Sequence, residues 1–230
     1  MHSSFSGISM LLLASVASQT LADDPSTETV ALFNGHDLDG LHIYVNDNST
    51  SPSEAWTIED SMLRCTGIGR GYARTTSAFA DYRLHLEWRW PNGPGNSGVM
   101  LNLVGQDMLW PKSFESQLAS GRAGDMFSFV DARNNEEIVS RNPNGVSTGR
   151  LLQKEPSAEN PVGEWNSYDI LVEGDTITLS INGKQVNRMT GTRPSAGMIG
   201  LQAEGTAIDF RNITLTPLPP AKDLYAPMPE

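Results

Sequence analysis

The chain predicts an all-β protein, an antiparallel sandwich or barrel. Three observations carry that expectation. No sustained helical period runs through it, apolar and polar residues alternate in short runs, and those runs are punctuated by Gly, Asn, Pro and Asp. At 230 residues the length fits one β domain, since sandwiches often reach roughly 200–250 residues as a single unit.

Taken in order, "AWTIEDSMLRCTG" reads as a hairpin with "ED" near its turn. "YRLHLEWRW" is a strand stopped by the dense turn signal "PNGPGN", and "SGVMLNLV" is the next strand. "SFESQLAS" follows after "GQDMLWPK". "WNSYDILVEGDTITLSINGKQVNRM" holds two strands around "EGD", then an Asn-Gly turn into a third; Asn and Gly tolerate the positive φ that tight hairpins need. "GMIGLQAEG" and "AIDFRNITLTPL" close the series. The polar, turn-rich segment from Gly121 to Pro161 is expected to form loops over one mouth of the fold. The domain is expected over residues 28–218, and a Pro-rich tail over 219–230 extends across the surface.

The first 22 residues read differently. "GISMLLLASVAS" is an apolar run too short to span a bilayer, and Thr20 and Ala22 place small residues before a cleavage point. Residues 1–22 are therefore expected to be a secretory signal. The single cysteine, Cys65, precludes an intrachain disulfide and is read as a buried small hydrophobe. Export without disulfides suits the periplasm or surface of a Gram-negative-type bacterium. With 27 acidic against 16 basic residues the net charge is -11, which argues against a nucleic-acid partner. No transmembrane anchor is expected.

Alternation assigns faces. Leu84, Leu86, Trp88 and Trp90 share one side of their strand, and His85, Glu87 and Arg89 the other. Val99, Leu101 and Leu103 oppose Met100 and Asn102. Phe114 and Leu118 oppose Glu115 and Gln117. Ile199 and Leu201 oppose Gln202 and Glu204. Any half-exposed antiparallel strand has a wet face. These faces, however, are rich in Glu, Gln, Asn, Arg and His, groups that can accept from and donate to sugar hydroxyls. Trp110 or Tyr72 could add an aromatic platform, while Trp56, Trp88 and Trp165 are read as core.

Familiar catalytic signatures are absent. "GIGRG" lies between strands, so it is not a phosphate loop. No His or Cys spacing suggests a metal site, no Gly-x-Ser-x-Gly elbow occurs, and "FESQLAS" carries one carboxylate where a retaining glycosidase strand would carry two or three. For acid–base work the strongest candidate is Glu115, with Glu204 or Glu87 as partner.

The ordered set "ALFNGHDLDGLHIY", "WTIEDSMLRC", "YRLHLEWRW", "GNSGVMLNL", "FESQL", "GEWNSYDILVEGDTITLSINGKQV" and "GMIGLQAEGTAIDFRNITLTPL" resembles the 3-keto-disaccharide hydrolase family across about residues 30–218. The resemblance implies a concanavalin-like jelly-roll sandwich and an exported protein that handles oxidised sugars by hydrolysis, or by elimination and hydration. It keeps Glu115, Gln117 and Gln202. It departs from the family pattern at Leu41, Asn102, Ser120 and Glu204, where that pattern carries Trp, Arg, Asp and His. On this reading Glu115 and Glu204 are the catalytic carboxyls, and Gln117, Asn102, Glu87, Arg89, His85, Gln202 and Trp110 bind an oligosaccharide or oxidised glycoside. A divalent metal ion held by Glu and amide oxygens could stabilise an enolate. The rival readings are a non-catalytic carbohydrate-binding or docking module and an ordinary glycoside hydrolase.

Overall fold

The computed structural model describes residues 28–129, 150–151, 158–192 and 196–219. The expected signal, the tail beyond residue 219 and much of the Gly121 to Pro161 segment lie outside those residues. The elements are β1 (Val30–Ala31), β2 (Leu41–Val45), a one-turn helix α1 (Pro52–Ala55), β3 (Trp56–Glu59), β4 (Met62–Cys65), β5 (Arg70–Thr75), β6 (Tyr82–Arg89), β7 (Gly98–Val104), β8 (Lys112–Gln117), β9 (Met126–Ser128), β10 (Arg150–Leu151), β11 (Asn166–Glu173), β12 (Thr176–Ile181), β13 (Lys184–Thr190), β14 (Met198–Glu204) and β15 (Ile208–Pro217).

They form two antiparallel sheets. Sheet A runs β13-β12-β11-β6-β15-β4-β3, with β1 also paired to β15. Sheet B runs β10-β9-β8-β7-β14-β5-β2. Two tight hairpins are set by residues that accept positive φ. Asp60 (φ 49°) and Ser61 (φ 59°) join β3 to β4, and Asn182 (φ 50°) and Gly183 (φ 77°) join β12 to β13. The first turn thus falls on Asp-Ser, one residue beyond the expected Glu-Asp. The segment expected to be loops contributes β9 and β10.

The core lies between the sheets. Leu84, Leu86 and Trp88 of β6, Tyr168 and Ile170 of β11 and Phe210 and Leu215 of β15 meet Val99 and Leu101 of β7, Phe114 of β8 and Leu201 of β14. Strands β6, β11 and β12 of sheet A bury one side because side chains alternate across the pleat, whereas β7, β8 and β14 of sheet B are buried on both. Cys65 is buried among them, and burial pushes its thiol up to about 11, so it packs as a thiol.

The alternation fails at one informative place. Asn102 adopts φ 51° inside β7. Four residues there, Leu101 to Val104, span the length of three on β8, Phe114 to Lys112. This β-bulge reverses the phase. Asn102 accepts from the Tyr82 hydroxyl at 3.3 Å and donates to the Phe79 carbonyl at 3.4 Å, so it points toward the core. Leu103, expected inside, packs instead with Met100 and Tyr72 on the outer face of sheet B. Left-handed backbone disfavours a Cβ. Asn102→Gly should therefore be more stable than Asn102→Ala by about 1 kcal/mol in urea denaturation; equal midpoints would show that φ at this position is not limiting.

Candidate active site

The outer face of sheet B carries a group of buried polar side chains, Glu115, Gln117 and Gln202 among them. At its centre is Glu115, on β8 between Met100 of β7 and Phe127 of β9. It is only 4% exposed. Its carboxyl leans across the sheet over Gly98, where a Cβ would stand 2.2 Å from Oε1. Glycine at 98 is thus what lets the carboxyl lie flat on the sheet. No hydrogen bond compensates its burial among the described residues. Burial, followed by the nearby Glu204 carboxyl, pushes Glu115 up to about 8.

Glu204 extends the site from β14. Burial raises its carboxyl too, against the opposing pull of Arg70, and its Oε2 accepts a hydrogen bond from Asn96 Nδ2. Asn96 sits in the "GNSG" turn entering β7. Gln117, two residues along β8 from Glu115, shares its face. Its Oε1 accepts the backbone N–H groups of Leu118 and Ala119 at 2.9 and 3.0 Å. That fixes the amide so that Nε2, the donor end, is left for the cleft. Gln202 on β14 is 1% exposed, and neither its Oε1 nor its Nε2 finds a partner among the described residues. Buried amides are normally paired, and this one lies behind the cavity lining.

An aromatic wall completes the cleft. Trp110 stacks on Phe129 with ring centres 5.7 Å apart, and Phe129 on Phe127 at 6.4 Å. Asn96, Trp110, Glu115, Gln117, Phe127, Phe129 and Glu204 line a cavity of about 360 Å³, within the usual range for small-ligand pockets. The loop bearing Trp110 is tied down by Asp107. That carboxylate accepts two bonds from Arg74, at 2.8 and 3.0 Å, one from the Tyr72 hydroxyl at 2.9 Å, and lies 3.2 Å from His42 Nε2. The Arg74 hydrogen bonds hold the Asp107 carboxyl below its ordinary range.

Of the residues expected in one site, Glu115, Gln117, Glu204 and Trp110 line this cavity, and Gln202 lies on the same sheet face. His85, Glu87 and Arg89 do not join them. They belong to β6 in sheet A, whose outer face points away from the cleft, and each is engaged there. His85 pairs with Asp169 at 2.7 Å, Glu87 with Arg211 at 2.6 Å and Arg89 with Asp209 at 2.8 Å. Asn102 is removed from the site by the bulge. Tyr72 is fully buried, so it braces the loop and offers no platform. Trp165, read as core, lies on the outer side of sheet A with Arg89 and Arg211 over its ring, at 4.7 and 4.0 Å. Phe127, Phe129, Asn96 and Asp107 were not singled out from the sequence. The alternating "MFSF" at 126–129 was the available signal for the two phenylalanines, hidden by the polar segment that follows. Among the described residues, no group of three or more His, Cys, Asp or Glu is placed to hold a metal ion.

The 3-keto-alpha-glucoside-1,2-lyase-like domain family matches residues 28–216. A Bacteroides thetaiotaomicron protein named 3-keto-disaccharide hydrolase is 25% identical over 173 residues, which is 68% of this chain and 57% of that protein. The match thus spans little more than half the length of that relative. Among solved structures, a proposed glycosyl hydrolase from Parabacteroides distasonis superposes with a TM-score of 0.59 at 19% identity, covering 83% of this chain and 94% of that one. The Bacillus licheniformis β-glucanase gives 0.54 at 10% identity, covering 84% and 98%. These likenesses establish the fold as a jelly-roll β-sandwich.

The raised Glu115 carboxyl has a thermodynamic consequence. It ionises near 4.5 in the unfolded chain and near 8 in the fold. Between those values the folded state keeps a proton that the unfolded state has lost, so stability falls as pH rises through that window. Glu204, raised in the same direction, adds to the fall. From pH 5 to pH 8, the wild type should lose on the order of 2–4 kcal/mol more stability than Glu115→Gln in urea titrations. Equal losses in the two proteins would contradict the assignment.

Proposed function

The chain belongs to the 3-keto-alpha-glucoside-1,2-lyase-like family, and we propose that it is an exported carbohydrate-active enzyme that cleaves 3-keto-glycosides, with Glu115 as the base. The observation that carries this reading is the Glu115 carboxyl: dehydrated, without a hydrogen-bond partner among the described residues, and beside a second carboxyl at one end of a sugar-sized cleft. The apolar first 22 residues support export.

The chemistry follows from the ketone. A carbonyl at C3 acidifies the C2–H bond, which remains far less acidic than a carboxylic acid. Raising the base to about 8 strengthens it, although only about one-tenth of it is ionised at pH 7. Glu115 takes the C2 proton, and the bonding electrons pass into the enolate. Gln117 Nε2, on the cavity lining, donates toward sugar and enolate oxygens. As the ketone re-forms, a C1–C2 double bond develops and the glycosidic C1–O bond breaks. The departing oxygen takes a proton, for which we assign Glu204, held by Asn96, the second carboxyl of the lining. Addition of water to the double bond then yields the free 3-keto sugar.

The aromatic wall favours one second reading, a sugar-binding module without catalysis. The fold also hosts such modules, as the likeness to the Bacillus subtilis carbohydrate-binding module CBM66 illustrates, with a TM-score of 0.54 at 15% identity over 77% of this chain and 95% of that one. Assay of 3-keto-glucosides separates the two. Glu115→Gln should lower kcat/KM by about 10²–10⁴-fold. The wild-type kcat/KM should rise with pH through about 8 as the base ionises. Full turnover by Glu115→Gln removes the residue from the mechanism, and wild-type binding without product favours the module.

A further inference from the structure

The cleft has two poles of different chemistry. Asn96, Glu115, Gln117 and Glu204 form a polar pole, and Phe127, Phe129 and Trp110 an apolar one. The poles adjoin, because Phe127 stands directly opposite Glu115 in the β8–β9 register. From there the rings run outward with small tilts, 14° between Phe127 and Phe129 and 21° between Phe129 and Trp110. The three rings are thus nearly parallel rather than edge to face. Trp110 is 40% exposed, and Met108 on the same loop is 54% exposed, so both side chains are open to solvent. The Asp107 anchor to Arg74 and Tyr72 holds that loop in place without a ligand.

Two preferences follow. Among the described lining residues the apolar pole offers only the indole N–H of Trp110 as a polar group. A second sugar could lay its C–H face on these rings but would find few partners for its hydroxyls, whereas a planar aryl ring gains offset stacking and needs none. No Lys or Arg is among the described lining residues. A carboxylate or sulfate on the sugar would face two carboxyls, of which Glu204 alone feels a described cation, Arg70, and that one stands outside the lining.

We propose that this cleft selects uncharged glycosides whose leaving group is aromatic, the sugar at the polar pole and an aryl aglycone against the Phe127–Phe129–Trp110 wall. The proposal rests on reading the cleft as a glycoside site and adds the class of substrate. It also fits the elimination step. When the C1–O bond breaks, the electron pair leaves on a phenolic oxygen, whose conjugate acid has a pKa of about 10, as in tyrosine. Such a group departs with less help from an acid than a sugar alkoxide needs.

Calorimetry at pH 7 with phenyl, methyl and glucosyl glucosides of both anomeric forms, together with phenyl glucuronide, tests the assignment. None carries the 3-ketone, so binding alone is read. The phenyl glucoside should bind at least ~10-fold more tightly than its methyl and glucosyl counterparts, and at least ~10-fold more tightly than the glucuronide. Trp110→Ala and Phe129→Ala should each bring the phenyl-to-methyl ratio to within about threefold of unity. Comparable affinity for the phenyl and glucosyl compounds, no measurable binding of any of them, or a ratio that survives both replacements would overturn the proposal. Because turnover is not involved, a phenyl preference in a protein whose Glu115→Gln variant keeps full activity would sink only the catalytic reading. Loss of that activity without a phenyl preference would sink only this one.

Discussion

A carboxyl laid on bare backbone organises the functional face of this molecule. Glu115 can lie over β7 only because residue 98 has no side chain, and it stays unhydrated only because Met100 and Phe127 flank it across the register. Burying an ionisable group without a partner is costly, and the group answers by holding its proton. Glu204 adds to the effect from the next strand but one. A strand that leaves such a group unpaired gives up stability at neutral pH for reactivity, the usual mark of a site shaped by a ligand or a reaction.

The two outer faces of the sandwich show the difference clearly. On sheet A, Glu87 meets Arg211 and Asn212, Asp209 meets Arg64 and Arg89, and Asp169 meets His85. Although burial acts to raise the Glu87 carboxyl, hydrogen bonds from Asn212 and Arg211 outweigh it and hold the carboxyl low. On sheet B, Glu115 and the Gln202 amide have no such partners among the described residues, while Asp107, which does, braces a loop. The same residue types thus serve as surface structure on one side and as candidate chemistry on the other.

This contrast explains what the sequence could reveal. Period-two alternation identified most strands and their buried sides, since burial is decided locally by the pleat. It also brought out Glu115 with Gln117 and Gln202 with Glu204 as polar pairs. It could not tell which wet faces share a sheet, because β6 reaches its neighbours β11 and β15 across long stretches of chain. His85, Glu87 and Arg89 therefore looked like companions of Glu115 and are not. Nor could alternation foresee the bulge at Asn102, where one left-handed residue exchanges the faces of Asn102 and Leu103. Trp165 looked like core by residue type, yet its ring is covered by two guanidinium groups instead of by the opposite sheet.

The account depends above all on the state of one proton. Carbon-13 labelling of glutamate carboxyls, with Glu115→Gln to assign the resonance, would follow that proton directly by NMR. The account predicts that the Glu115 signal titrates near pH 8 in the unliganded protein and moves toward acid in Glu204→Gln. A midpoint of about 4–5, the ordinary range for glutamate, would show a solvated carboxylate and contradict the claim that this residue is held ready as a base.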